Sequence, residues 1–169
     1  GTIAHKQGRV AGENAIGGER QFAGAMGTQS IKVFELAVAR TGLLDHEARS
    51  AGFDPLSISI EANDHKAYYP GAVPLSVVVS GDRTTGALFG AQILGSRKAE
   101  ISKRIDIVAA ALFRNADVEE LNDLDLSYTP PFSSPWDPVQ VAAQAWAGEA
   151  RRRVREPVEL SIAPVTNIQ

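Results

Sequence analysis

Apolar and polar positions follow two rhythms along this chain, and the elements can be read from where one gives way to the other. Leu56-Ser57-Ile58-Ser59-Ile60 alternates strictly, the two-residue period of a strand with one buried face. Ser30 to Thr41 carries β-branched and aromatic residues (Val33, Phe34, Val38) and reads as one strand, stopped by Gly42. Pro74 to Val79 and Ala87 to Leu94 read as a hairpin, because the intervening Ser80-Gly81-Asp82-Arg83-Thr84-Thr85-Gly86 is turn chemistry. Gly90 and Gly95 mark a close backbone approach and the strand's exit.

The longer rhythm is helical. Between Ala99 and Asn115, Ile101, Ile105, Val108, Ala109 and Leu112 form one stripe, with Glu100, Lys103, Arg104 and Arg114 placed largely off it. Ile3 to Ile16 predicts a first helix whose small residues (Ala4, Gly8, Ala11, Gly12, Ala15) suit close packing, ended by Gly17-Gly18. Two short helices are expected: Asp45 to Ser50 with Asp45 as N-cap, and Asp117 to Leu121 with Asp117 and Glu120 spaced as a capping box. A stiff loop, Tyr128-Thr129-Pro130-Pro131-Phe132-Ser133-Ser134-Pro135-Trp136-Asp137-Pro138, precedes a final helix from Val139 to Glu149. This order of elements predicts an α+β domain, an antiparallel sheet with helices packed on it. The basic run Arg151-Arg152-Arg153-Val154-Arg155 opens a stretch without clear period, read as a docked extension or linker.

Composition narrows the function classes. Over 169 residues, 44% hydrophobic and 22% charged content is ordinary globular usage. A formal net charge of -3 offers no electrostatic reason for nucleic acid or an anionic membrane as a partner. No run approaches the roughly 18 apolar residues of a membrane span. There is no cysteine, so this chain supplies no disulphide, thiolate ligand or thiol nucleophile. His46, Asp45, Asp64 and His65 are too scattered to predict a metal site. Gly12 to Gly18 lacks the Lys-Ser/Thr of a phosphate loop. The start, Gly1-Thr2-Ile3-Ala4-His5, runs directly into helical text without Met and reads as the start of a fragment.

Five stretches, in order, resemble one family. Asp82 to Gly95 (D-x-x-T-G-x-L-x-G-A-Q-x-x-G) looks like the hairpin, and Lys32 to Leu43 like the first strand, of the C-terminal dimerisation domain of flavin-dependent pyridine nucleotide-disulphide oxidoreductases. Lys103-Arg104-Ile105-Asp106 and Leu124 to Pro135 resemble its coenzyme A-disulphide reductase and NADH oxidase branch. Ala4 to Asn14 is similar to the last helix of that branch's FAD-binding domain.

The resemblance implies the FAD/NAD-linked reductase dimerisation-domain fold and a division into three parts. Residues 1–24 would be a remnant of the FAD-binding domain, 25–150 the dimerisation domain, and 151–169 an extension or linker. It further implies a cytoplasmic homodimer that uses FAD and NAD(P)H in its full-length form, with neither held by this chain alone. The electron acceptor would be coenzyme A disulphide or a related small disulphide. The redox cysteine and both nucleotide sites would lie outside this chain.

Within that frame Tyr128 is the first candidate for chemistry. A phenol donates a hydrogen bond to a sulphur anion or flavin oxygen without bringing charge, and Pro130-Pro131 would hold it on a stiff loop. The resemblance has the matching tyrosine reach the neighbouring subunit's redox site, with Tyr69 as a second and the adjacent Tyr68 open as an alternative register. Trp136 and His5 match substrate-lining positions, and Thr2, Ile3 and Ala4 match a helix start that faces the flavin ring. The structural alternatives are packed aromatic rings for the tyrosines and Trp136, and a solvated side chain for His5. A competing function is a non-catalytic dimeric binding module of the same fold; part of an NADH oxidase or persulphide reductase is another.

Overall fold

The computed structural model describes residues 1–155, without the side chains of residues 153–155. Of the tail expected from 151 onward, the part after Arg155 lies outside the described residues. Ten elements follow in chain order: α1 (Thr2–Ala15), β1 (Gln29–Val33), β2 (Leu36–Gly42), α2 (Asp45–Ser50), β3 (Pro55–Asn63), β4 (Pro74–Asp82), β5 (Leu88–Ser96), α3 (Ile101–Phe113), α4 (Val118–Asn122) and α5 (Pro138–Arg155). The strands form one antiparallel sheet in the order β1-β2-β5-β4-β3. The predicted α+β class is the one observed.

The alternation in β3 and β4 decides which face is covered. Leu56, Leu75, Val77, Val79, Ala91 and Ile93 point to one side, where α3 brings Ile101, Ile105 and Val108, and α5 brings Val139, Ala142, Ala143 and Trp146. Each of the leucine, isoleucine and valine side chains contributes about 1.5–3 kcal/mol on leaving water, and this common core fixes both helices to the sheet. Trp146 adds direction, because its indole N–H donates to the carbonyl of Leu56 in edge strand β3 at 2.6 Å.

The opposite face is apolar at one end and bare. Val33 pairs with Leu36, Ile31 with Val38, and Val38 with Leu94, so these five side chains share one side of the sheet. All five are exposed. A contiguous apolar surface of this kind marks an interaction site more often than an accident of composition.

Several expectations need correction. The single strand from Ser30 to Thr41 is a hairpin, turned by Phe34 and Glu35. Phe34 has φ of 52°, in the left-handed region, and no glycine or asparagine advertises the turn. Asp45 is the first residue inside α2 and not its cap, which falls at Leu44. Its carboxylate instead accepts from the Ser57 and Ser80 hydroxyls, while Glu47 accepts from the Leu44 N–H at 2.7 Å. The last helix runs past Glu149 through the basic stretch to Arg155. Arg104, set off the apolar stripe of α3 by its charge, is buried on it.

Other expectations hold. Asp117 and Glu120 form the reciprocal capping box, at 2.7 and 2.9 Å. Gly17 and Gly18 close α1 through N–H groups that donate to Asn14 and Glu13. Gly90 sits directly across from Gly42, and a Cβ on Gly90 would lie 2.4 Å from the carbonyl oxygen of Thr41. No helix among the described residues is long and apolar enough to cross a membrane.

Candidate functional site

Two loops leave the same end of the core, one between β3 and β4 and one between α4 and α5. The first begins at Asp64-His65 and carries Tyr68 and Tyr69. Asp64 closes it: its carboxylate oxygen Oδ1 accepts the N–H of His65 at 3.0 Å and of Val73 at 2.9 Å, and its own N–H donates to the Val73 carbonyl at 3.0 Å. The loop is therefore cinched at its base, and further along it the Tyr69 N–H donates to the Lys66 carbonyl at 2.8 Å. His65 is buried, with Nδ1 3.0 Å from the same Asp64 oxygen and its ring edge-on to Tyr69 at 6.3 Å between centroids.

The second loop ends in a reciprocal cap on α5. Asp137 accepts the N–H of Val139 through Oδ1 at 3.0 Å, and the Gln140 side chain accepts the Asp137 N–H at 3.2 Å. Gln140 donates to the carbonyls of Asn122 and Leu124, both at 2.8 Å, tying the loop's far end to the exit of α4. Ser133, also buried, donates to Asp137 Oδ2 at 3.2 Å. Pro130, Pro131, Pro135 and Pro138 restrict the backbone between these anchors.

On this frame the side chains singled out from sequence face outward. Tyr128 is 45% exposed, Tyr69 42% and Trp136 54%, and Phe132 stands further into solvent. Tyr128 is not sealed in its own core. Two grooves, of about 660 and 570 Å³, lie elsewhere, against β2 and α2 and against α1 and α3, and neither is lined by a tyrosine.

The residues of α1 are placed apart. The helix buries no residue, its N-cap Gly1 provides no side-chain acceptor, and no acidic residue stands in its first turn. Thr2, Ile3 and Ala4 therefore present backbone N–H groups without side-chain partners, a fit for a partial negative charge such as a flavin oxygen. His5 shares a shallow depression with Gly1, Ala4, Gly8 and Arg9, all of the same helix. The structure thus brings Tyr69, Tyr128 and Trp136 onto one supporting frame and leaves His5 and the helix start on another. Among the described residues no group of three or more His, Asp or Glu side chains could hold a metal ion.

Sequence reasoning missed the centre of the frame. Arg104, 5% exposed, bonds to both loops at once, to the carbonyl of Asp64 at 2.6 Å and to Asp137 Oδ2 at 3.1 Å. The signal was present in the spacing Ile101, Arg104, Ile105, Val108, which puts position 104 on the inner face by period alone.

An antiparallel sheet covered on one face by two helices and apolar and bare at one end of the other, with exposed phenols on two anchored loops, presents a surface suited to contact with another chain or domain. Residues 28–138 match the family model described as pyridine nucleotide-disulphide oxidoreductase, dimerisation domain, and the chain belongs to that family. It is 38% identical over 140 residues to an NAD(P)H sulfur oxidoreductase (CoA-dependent) of Pyrococcus furiosus, covering 83% of this chain and 31% of that protein. It is 30% identical over 135 residues to a coenzyme A disulfide reductase of Staphylococcus epidermidis, covering 79% of this chain and 30% of that protein. Among solved structures, an NAD-dependent persulfide reductase from A. fulgidus superposes with a TM-score of 0.83 at 34% identity, over 89% of this chain and 28% of that one. The chain spans about a third of the length of the relatives it matches.

Proposed function

We propose that this chain is the dimerisation domain of a homodimeric flavoenzyme that reduces a small disulphide or persulphide, and that it lends Tyr128 and Tyr69 to the partner subunit's redox site. The observation that carries the reading is the outward placement of Tyr128 on a loop stiffened by prolines and fixed at its base by buried Ser133 and Asp137. A phenol held this way has its orientation settled before any substrate arrives, which is what hydrogen bonding to a developing thiolate requires. Being neutral, it stabilises the sulphur anion without holding the product as a cation would.

Residues 1–24 then belong to the flavin-binding part, 25–150 to the dimerisation domain, and 151–169, of which 151–155 continue α5, to an extension or linker. FAD, when bound, relays electrons from NAD(P)H to sulphur. In this chain Thr2, Ile3 and Ala4, through backbone N–H groups that no side chain caps, and the Tyr128 phenol would be the groups that hold it. With no cysteine in the chain, the thiol chemistry is supplied from elsewhere in the enzyme. Trp136 offers an exposed flat ring on the same loop as Tyr128, suited to stacking on the adenine of a coenzyme A substrate. His5 serves the same substrate from the helix start. The bare sheet face of Ile31, Val33, Leu36, Val38 and Leu94 offers apolar area for contact between subunits or domains.

The test is kinetic. In the flavoenzyme that carries this domain, Tyr128→Phe slows reduction of the disulphide by about 10- to 100-fold, the range of one lost hydrogen bond to a charged group, and slows flavin reduction by NAD(P)H less. Equal slowing of both half-reactions removes the proposed role. A mass corresponding to one subunit in sedimentation of the flavin-loaded enzyme would remove the dimer.

A further inference from the structure

The guanidinium of Arg104 joins the two loops that carry the phenols. It leaves α3 between Ile101 and Ile105 on the core-facing stripe and is almost wholly buried. Its N–H groups go to three separate segments. Nη1 donates to the carbonyl of Ala99, in the connection from β5 to α3. Nη2 donates to the carbonyl of Asp64 at 2.6 Å, at the base of the Tyr69 loop. Nε donates to Asp137 Oδ2 at 3.1 Å, at the end of the Tyr128 loop.

Each acceptor is itself constrained, so the geometry passes outward. The Asp64 carboxylate holds the next N–H and the far end of its loop at Val73. The Asp137 carboxylate holds Ser133 and the start of α5. Neither loop has a strand partner between its anchors, and Arg104 hydrogen-bonds to both at the base. A buried ion pair is a poor way to gain stability, because apolar residues of similar size often do as well or better. A planar fork with donors in fixed directions does something apolar packing does not: it sets angles and spacings among three acceptors.

We propose that Arg104 is a positioning residue, whose guanidinium fixes the spacing of the Tyr69 and Tyr128 loops and so presents the two phenols as a pair to one sulphur substrate. The inference rests on the assignment of those tyrosines to the acceptor site. Lysine at 104 keeps the positive charge that Asp137 needs but is a single flexible point donor. Arg104→Lys therefore isolates geometry from charge balance.

The experiment has two arms. The chain has no cysteine, so Tyr68→Cys with Phe132→Cys, both exposed, introduces its only thiols for a pair of spin labels. Electron–electron dipolar spectroscopy on the labelled chain, diluted with unlabelled chain, is expected to show one narrow distance. With Arg104→Lys the distribution broadens at least about twofold while far-ultraviolet circular dichroism is unchanged. An unchanged width overturns the proposal. Should Arg104→Lys fail to fold, Asp137→Asn, which weakens the same link and keeps the cap oxygen, takes its place with the same two outcomes.

In the flavoenzyme, Arg104→Lys slows disulphide reduction about 10- to 100-fold, as expected for a reacting group displaced by an ångström or so, and slows flavin reduction less. Added to Tyr128→Phe it costs clearly less than it does alone, because part of its effect acts through that phenol. Fully additive losses overturn the proposal. If Tyr128→Phe alone proves silent, the functional reading fails, and the label distances still decide whether Arg104 sets the loop geometry.

Discussion

Trp146 is the side chain that ties α5 to the edge of the sheet, and replacing it with phenylalanine separates two contributions. The ring is buried, its N–H donates to the Leu56 carbonyl, and its outer edge lies against Gly81, where a Cβ would come within 3.0 Å of Cζ2. Removing the donor leaves a buried carbonyl short of its partner, at about 1–3 kcal/mol. The smaller ring leaves a space of roughly 40 Å³, which at about 24 cal/mol per Å³ adds about 1 kcal/mol. Trp146→Phe is therefore expected to lose about 2–4 kcal/mol, a large share of a domain's ordinary stability of about 5–15 kcal/mol. Urea unfolding followed by far-ultraviolet circular dichroism reads this directly. With a slope of about 2 kcal/mol per molar, the midpoint falls by about 1–2 M. The exposed Trp136, changed in the same way, should cost less than about 0.5 kcal/mol, moving the midpoint by less than about 0.25 M. A Trp146→Phe midpoint within that same margin would refute the argument, since neither the indole bond nor the packing would then hold the helix.

Gly42 and Gly52 both have positive φ, 71° and 88°, but a Cβ on Gly42 would lie 2.1 Å from the Phe89 carbonyl oxygen, whereas nothing approaches within 4 Å of one on Gly52. Gly52→Ala should cost only the left-handed strain of about 1–2 kcal/mol, and Gly42→Ala at least about 2 kcal/mol more from forced backbone movement; equal melting temperatures would contradict the close approach. Asp82 accepts the N–H groups of Thr85 and Thr84 at 2.8 and 2.9 Å, and the Thr85 bond first, then Thr84, holds its pKa below the ordinary 3.8. A depressed folded pKa adds stability that is complete above the unfolded value and lost as pH falls through the folded one, so the contribution disappears below about pH 4. Asp82→Asn, which keeps the acceptor and removes the charge, should flatten the acid limb of the stability curve below pH 4; an unchanged limb would show that the charge contributes nothing.

Local patterning settled most of what lies along the chain. The alternation of Leu56 to Ile60, the Asp117–Glu120 box and the glycine closures of α1 are all decided among neighbours in sequence, and each is found where neighbouring residues place it; the turn read over Ser80 to Gly86 is narrower, because β4 runs through Asp82 with Ser80 and Gly81 paired to β5. So is the outward, proline-stiffened character of the Tyr128 loop. Motifs in order were enough to identify the family. What the tertiary structure alone decided are relations between segments far apart in the chain. The turn at Phe34 exists because two strands pair across it, not because its residues favour a turn. Asp45 abandons its cap for hydroxyls on β3 and β4. Arg104 goes inward against its charge because Asp64, 40 residues before it, and Asp137, 33 residues after, converge there with acceptors in place. Burial of a charge is permitted only when its partners are assembled around it, and that assembly is a property of three dimensions that no local window of residues contains.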